Sequence, residues 1–196
     1  MSLMSKLRMP AFSAGGRPIL AESQWRLRVD GMAARPREYA LDEIRAMPQS
    51  EVDARLTSVS GFSLRARWQG VLWRDFLAGL EPQAGASHAT FTSQGGGYTT
   101  TVSLADLDHP RVMLVLGVED EPLDPDYGGP LRMLVPQLWG YKSAKWLAGL
   151  TFGDKMLGGF WEDRGYTREG LIEPGVTLDL NSGERRAIRG GEVTEF

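Results

Sequence analysis

Residues 127–147 read YGGPLRMLVPQLWGYKSAKWL. The apolar run at 131–136 predicts a strand that its own proline closes. Pro136 and Gly140 then force a loop, and KSAKWL at 142–147 predicts the start of a helix. A loop entering a helix offers unsatisfied backbone N–H groups to an anion. Ser143 adds a hydroxyl donor, and Lys142 and Lys145 add positive charge, a set that suits one phosphate. The same residues also read as a solvated lysine pair beside an aromatic patch of the core, because short motifs mislead often. Spacing alone leaves both readings open.

Outward from this stretch, strands outnumber helices. Residues 24–30 (QWRLRVD) alternate, with Trp25, Leu27 and Val29 on one side and Arg26 and Arg28 on the other, a half-buried strand. Residues 41–47 predict a short helix begun by acids and stopped by Pro48. Residues 52–59 predict a strand that Gly61 breaks. Residues 70–80 predict a second short helix with Leu72, Phe76, Leu77 and Leu80 on one face. Strands at 89–92 and 98–103 flank the glycine run 95–97, a helical turn follows at 104–108, and 112–118 is a further strand. The polar, Gly-rich tail alternates only at 176–180. No βαβ rhythm or internal repeat occurs, so the expected fold is a single α+β domain of small mixed sheets and short helices. Its expected divisions are an irregular arm at 1–22, the body at 23–170, and an extension at 171–196 packed on the same domain.

Composition narrows the chemistry. With 196 residues, one sizeable core is expected, and a net charge of −3 gives no reason for nucleic-acid binding or adhesion to an anionic membrane. The chain has no cysteine, which excludes disulfides, thiolate metal ligands and thiol nucleophiles. Its two histidines, His88 and His109, cannot build a multi-His centre and read as surface residues. No apolar run reaches the roughly 18–20 residues of a membrane span. The opening MSLMSKLRMP lacks an apolar leader, so a cytoplasmic protein is expected; a monomer is expected as well. The acids Glu119, Asp120, Glu121, Asp124 and Asp126 lack the spacing of a calcium loop and read as solvated. GGGY at 95–98 lacks the spacing and lysine of a P-loop and reads as a hairpin connection. WEDRGY at 161–166, taken alone, reads as a surface turn with an ion pair.

Taken together and in order, these segments resemble the molybdopterin-binding domain of the sulfite oxidase family, from about Trp25 to Tyr166. WRLRVDGMAARPREYALDEIRAMP resembles the family's opening strand, turn and short helix. TSVSGFS at 57–63, followed by WQGVLWRDFL, resembles the segment that carries the metal ligand. YGGPLRMLVPQLWGYKSAKWL resembles the family's HG-x-P-x-R…P…G-x-x-S-x-K-W-L signature. WEDRGY resembles its tryptophan-to-tyrosine element beside the active site.

The resemblance implies a mixed α+β fold and a molybdopterin (molybdenum cofactor) ligand, with or without its metal. It implies that Ser143, Ala144 and Lys145 hold the pterin at its phosphate, with Lys142 assisting, that Arg132 binds the cofactor, and that Tyr166 faces the substrate. It implies oxygen-atom transfer to or from a small-molecule substrate, with a separate electron-transfer partner. Three departures qualify this. Ser58 stands where the family has its metal-ligating cysteine, and a hydroxyl must lose a proton of much higher pKa to bind. Tyr127 stands where the signature has histidine, among the cofactor contacts. The arm AFSAGGRPIL shows no Arg-Asn-His element, so sulfite is not the expected substrate. Ser58 is therefore expected on or beside the metal. The alternative is a non-catalytic molybdopterin-binding or carrier protein that lacks the metal-ligating cysteine.

Overall fold

The computed structural model describes residues 12, 14 and 21–190. The arm expected at 1–22 and the last six residues thus lie almost wholly outside the described residues. The alternation at 24–30 becomes β1 (Arg26–Gly31), with Leu27 and Val29 buried and Arg26 and Arg28 exposed. This strand pairs antiparallel with β2 (Arg37–Ala40). Helix α1 (Leu41–Arg45) follows directly. Its Glu43 carboxylate reaches back to accept the Ala40 N–H at 2.8 Å, which satisfies one free donor of the first turn.

The second sheet begins with β3 (Ser50–Thr57) and β4 (Ser63–Leu72), a long antiparallel hairpin. Next come helix α2 (Trp73–Ala78), the hairpin of β5 (His88–Ser93) and β6 (Thr99–Ser103), and helix α3 (Leu104–Leu107). Strand β7 (Met113–Val118) pairs with β4, with the two-residue β8 (Glu121–Pro122), and with β9 (Arg132–Leu134). Strand β10 (Leu147–Gly153) then enters the first sheet between β1 and β5, parallel to β1, giving the order β2-β1-β10-β5-β6. A separate hairpin of β11 (Gly175–Leu178) and β12 (Arg185–Ile188) ends the described chain.

The main core buries Trp25, Trp73, Phe76, Phe91 and Phe152 between the first sheet and the short helices. Each such side chain stabilises the fold by about 1.5–3 kcal/mol relative to exposure. The Trp25 indole N–H also donates to the Leu147 carbonyl at 3.0 Å, tying the start of the body to the end of KSAKWL.

Two expectations need correcting. KSAKWL does not start a helix: a single 3-10 turn at Gly140–Lys142 ends as Ser143 leaves helical space (φ −96, ψ 75) and Trp146 turns left-handed (φ 50). Trp146 N–H donates to Gly128 O at 3.1 Å and Leu147 N–H to Leu131 O at 2.8 Å, so tertiary bonds replace the helical ladder. The second helix begins at Trp73 rather than Gly70, because 70–72 complete β4. At Gly70 (φ 156) the register shifts, and the Leu114 carbonyl lies 2.0 Å from where a Cβ would stand, so a side chain is excluded.

Candidate functional site

A cavity of about 210 Å³ opens where the two sheets and the C-terminal hairpin converge. Its walls come from the β3–β4 connection (Ser58), β9 (Arg132), the stretch after the 3-10 turn (Ser143, Lys145), the 161–166 turn (Tyr166) and the β11–β12 turn (Asp179). Residues far apart in the chain are thereby brought to one place.

One end of the cavity is cationic. Arg132 is only 2% exposed, and its guanidinium donates to three carbonyls: Tyr127 at 3.0 Å, Met133 at 3.3 Å and Ser143 at 3.4 Å. Burial brings its pKa down to about 10. Lys145 is pushed down to about 7, first by burial and then by the charge of Arg132. Its ammonium lies 4.8 Å from the Trp146 ring centroid. Among the described residues neither cation has an acidic partner. Gly128 (φ 112) makes this crowding possible: a Cβ there would stand 2.9 Å from the Lys145 Cβ and 3.2 Å from that of Arg132. Ser143 Oγ accepts the Val135 N–H at 2.9 Å, which leaves its own proton available to the cavity.

Three expected cofactor contacts fall elsewhere. The Lys142 side chain is fully buried outside the cavity and pairs with the equally buried Glu162 at 2.6 Å. Its ammonium also donates to Thr101 O at 2.9 Å and to the Arg168 carbonyl, so all three protons are taken and none remains for a phosphate. Burial lowers the Lys142 pKa, opposed by Glu162. The surface-turn reading of WEDRGY is corrected by the same bond, since Glu162 faces inward and also accepts from Thr100 Oγ1 at 2.6 Å. Tyr127 packs in the second core cluster and offers Arg132 only its carbonyl. Ala144 points into the main core, its carbonyl accepting the Met133 N–H at 2.8 Å.

Ser58 and Tyr166 line the same cavity despite their separation in sequence. Ser58 opens the tight β3–β4 connection, where its N–H donates to Phe62 O at 2.7 Å. Its Oγ accepts from the Ser60 hydroxyl at 3.0 Å and the Ser60 N–H at 3.3 Å. Tyr166 stacks on Tyr141 with ring centroids 5.2 Å apart and packs against Trp161 at 5.4 Å. Its phenol oxygen accepts the Leu180 N–H at 3.0 Å, and burial raises its pKa.

Among the described residues, no group of three or more His, Cys, Asp or Glu side chains could hold a metal ion. Within the acidic cluster, Asp120 pairs with Arg67, and Glu119 accepts the Arg67 N–H at 2.8 Å. The 95–97 glycines form the β5–β6 turn, and Ser93 at its start donates to the Lys145 carbonyl at 2.5 Å. Sequence reasoning missed Glu162 as the partner of Lys142, and Asp179 altogether. The only local signal for Asp179 is the run DLNSG at 179–183, an Asx-type turn.

Comparison with known proteins gives these features a context. The uncharacterized oxidoreductase YuiH of Bacillus subtilis is 34% identical over 82% of this chain and 82% of its own length. The protein-methionine-sulfoxide reductase catalytic subunit MsrP of Ralstonia nicotianae is 31% identical over 74% of this chain and 48% of its own. The chain therefore spans about half the length of the methionine-sulfoxide reductase subunits that it matches. The crystal structure of sulfane dehydrogenase SoxCD from Paracoccus pantotrophus superposes with a TM-score of 0.70 at 19% identity, covering 88% of this chain and 46% of that one. That match shows the shared α+β fold. The cytoplasmic expectation is corrected: it rested on the apolar content of the first ten residues alone, and the reductase subunits among the relatives point away from the cytoplasm. No described helix is long and apolar enough to cross a membrane. The profile described as "oxidoreductase molybdopterin binding domain" matches residues 14–161, and with these relatives it establishes that the chain belongs to the sulfite oxidase family of molybdopterin-binding oxidoreductases.

Proposed function

We propose that the chain is the cofactor-binding body of an oxidoreductase that transfers an oxygen atom to or from a small substrate. The observation that carries this is the Arg132–Lys145 pair. A buried and a half-buried cation side by side, without a carboxylate partner among the described residues, call for an anion, since poorly solvated charge is costly. The phosphate of molybdopterin fits that need, with the Ser143 hydroxyl as a third donor. Each charge-assisted bond of this kind contributes about 1.5–3 kcal/mol.

When bound, the cofactor supplies the two-electron couple for the transfer. The chain's own part is to seat the phosphate and to orient the substrate. Tyr166 suits the second task, because its oxygen already accepts from Leu180 and its proton remains free to donate. Reducing an oxygenated acceptor takes up two electrons and two protons and releases water, and oxidation runs the same balance backwards. A separate electron-transfer partner completes either direction. Kinship with methionine-sulfoxide reductase catalytic subunits favours reduction. In this reading residues 23–170 form the cofactor-binding unit and 171–196 an extension of it.

One observation favours the second reading, a pterin-binding or carrier protein without metal catalysis. Ser58 Oγ already accepts two hydrogen bonds from Ser60, and among the described residues no hydrogen bond runs from its own proton to a carboxylate or histidine. Pterin and molybdenum analysis of protein made in a host with active cofactor synthesis separates the two. One equivalent of each, with turnover lost in Tyr166→Phe, supports the enzyme. Pterin without molybdenum supports the carrier.

A further inference from the structure

The cavity's charges are unevenly placed. Among its described lining residues there are two cations, Arg132 and Lys145, and one acid, Asp179. The cations belong to the segments proposed to seat the phosphate. Asp179 comes from a different element, the turn between β11 and β12, whose Leu180 N–H binds the Tyr166 phenol oxygen. This turn lies beyond residues 14–161, the part that the family profile matches.

The turn is built rather than loosely draped. Asp179 carboxylate oxygens accept from Asn181 N–H at 2.9 Å, Asn181 Nδ2 at 3.3 Å and Ser182 Oγ at 3.0 Å. Its carbonyl accepts the Gly183 N–H at 2.7 Å. The next residue, Leu180, donates its N–H to the Tyr166 phenol oxygen at 3.0 Å, which fixes the carboxylate near the phenol. Below the turn, Ile172 and Ile188 pack on Val59, Trp139 and Tyr141, so the hairpin is pinned to both the Ser58 loop and the aromatic wall. Burial acts to raise the Asp179 pKa, but the hydrogen bonds outweigh it and hold the group below its ordinary value, and so ionised.

We propose that Asp179 is a specificity-determining residue: its fixed negative charge beside Tyr166 excludes anionic substrates and admits neutral or cationic ones. The proposal rests on the reading of this cavity as the substrate site. The charge of Asp179 is partly shared with its own turn donors, but hydrogen bonding redistributes a unit charge without removing it. An oxyanion that binds at Tyr166 meets that charge beside the phenol. A neutral acceptor meets only the phenol proton and the Trp161 and Tyr141 rings.

Three probes of one shape test this: methyl phenyl sulfoxide (neutral), 4-(methylsulfinyl)benzoate (anionic) and 4-(methylsulfinyl)benzylamine (cationic). Their binding to wild type and Asp179→Asn is followed by tryptophan fluorescence. The variant removes the charge and keeps the Oδ1 acceptor for Asn181, at the loss of the acceptor that Ser182 uses, a change that acts alike on all three probes. A charge beside the phenol predicts that the benzoate binds about three- to tenfold tighter to the variant at low salt, the benzylamine weaker by a similar factor, and the neutral probe within about twofold. The two opposed shifts should shrink together as salt rises. Since the proteins differ only at 179, the comparison is readable with or without cofactor bound. Equal shifts for all three probes, or none, or no binding of any, overturns the charge filter. Opposed shifts without turnover from a chemical electron donor leave the filter standing and remove oxygen-atom transfer instead.

Discussion

Lys145 owes its low pKa of about 7 to burial beside Arg132, and this makes anion binding depend on pH. In the unfolded chain a lysine titrates near its ordinary value, about 10.4. Between these values the unfolded state holds the proton that the folded state has lost, so folding stability without cofactor rises with pH from about 7 upward. Below about 7 both states are protonated, and the fold carries the full cost of a poorly solvated cation beside Arg132. A phosphate needs the charged form, so its affinity should fall as pH rises past about 7, with proton uptake on binding. Calorimetric titration in two buffers of different ionisation heat measures that uptake; if none is seen above neutrality, Lys145 does not hold the anion. Ser58 invites a second substitution. Ser58→Cys restores a soft thiolate ligand, and it should raise molybdenum content if only the ligand is missing. A wild type already carrying a full equivalent of metal would show instead that serine suffices, and the carrier reading would be lost.

The segment 158–170 brings Trp161 and Tyr166 to the cavity, and the Lys142–Glu162 bond latches it to β6. Both side chains are fully buried, with Thr100 and Thr101 of β6 completing the network. Removing one partner strands the other's charge, so Lys142→Met or Glu162→Leu alone should cost about 3–5 kcal/mol. The double variant should recover much of that loss, since an apolar pair leaves no orphaned charge. Urea unfolding of the three variants checks this, and additive losses would contradict the latch. This latch also shows what the sequence could reveal. Alternation showed β1, and proline and glycine marked the ends of α1 and the β5–β6 turn. Lys142, Ser143 and Lys145 offered an anion site that spacing alone left open, and Arg132 joined them only through the family resemblance. Lys142 misled because its neighbours in sequence are those of a phosphate loop, while its partner lies twenty residues on and depends on how the chain returns. KSAKWL misled for a related reason: the bonds from Trp146 to Gly128 and from Leu147 to Leu131 are tertiary, and no local propensity encodes them. Gly70 looked like a helix start because a β-bulge and a helix entry both place glycine before an apolar run.

At the scale of the whole molecule, the cavity lies at a seam. Strand β10 joins the first sheet immediately after Lys145, while Arg132 sits on β9 in the second, so an anion between the two cations bridges both sheets. A ligand bound only by the folded state stabilises it by about 2.7 kcal/mol at a hundredfold excess over Kd and about 4.1 kcal/mol at a thousandfold. For a chain of this size each kcal/mol moves Tm by about 2–4 °C. Loading with molybdopterin should therefore raise Tm by about 5–16 °C as one cooperative transition, because both sheets share the bound group. Lys145→Ala should lose part of that gain, about 3–6 °C for a tenfold weaker site. Without cofactor the same variant should melt no lower than wild type at pH 6, since it lacks the poorly solvated cation that wild type holds beside Arg132. Differential scanning calorimetry of both proteins, with and without cofactor, reads all four states. An equal gain in wild type and variant would remove Lys145 from the site. A lower Tm for the cofactor-free variant would mean that the lysine serves packing, and that its charge costs the fold nothing.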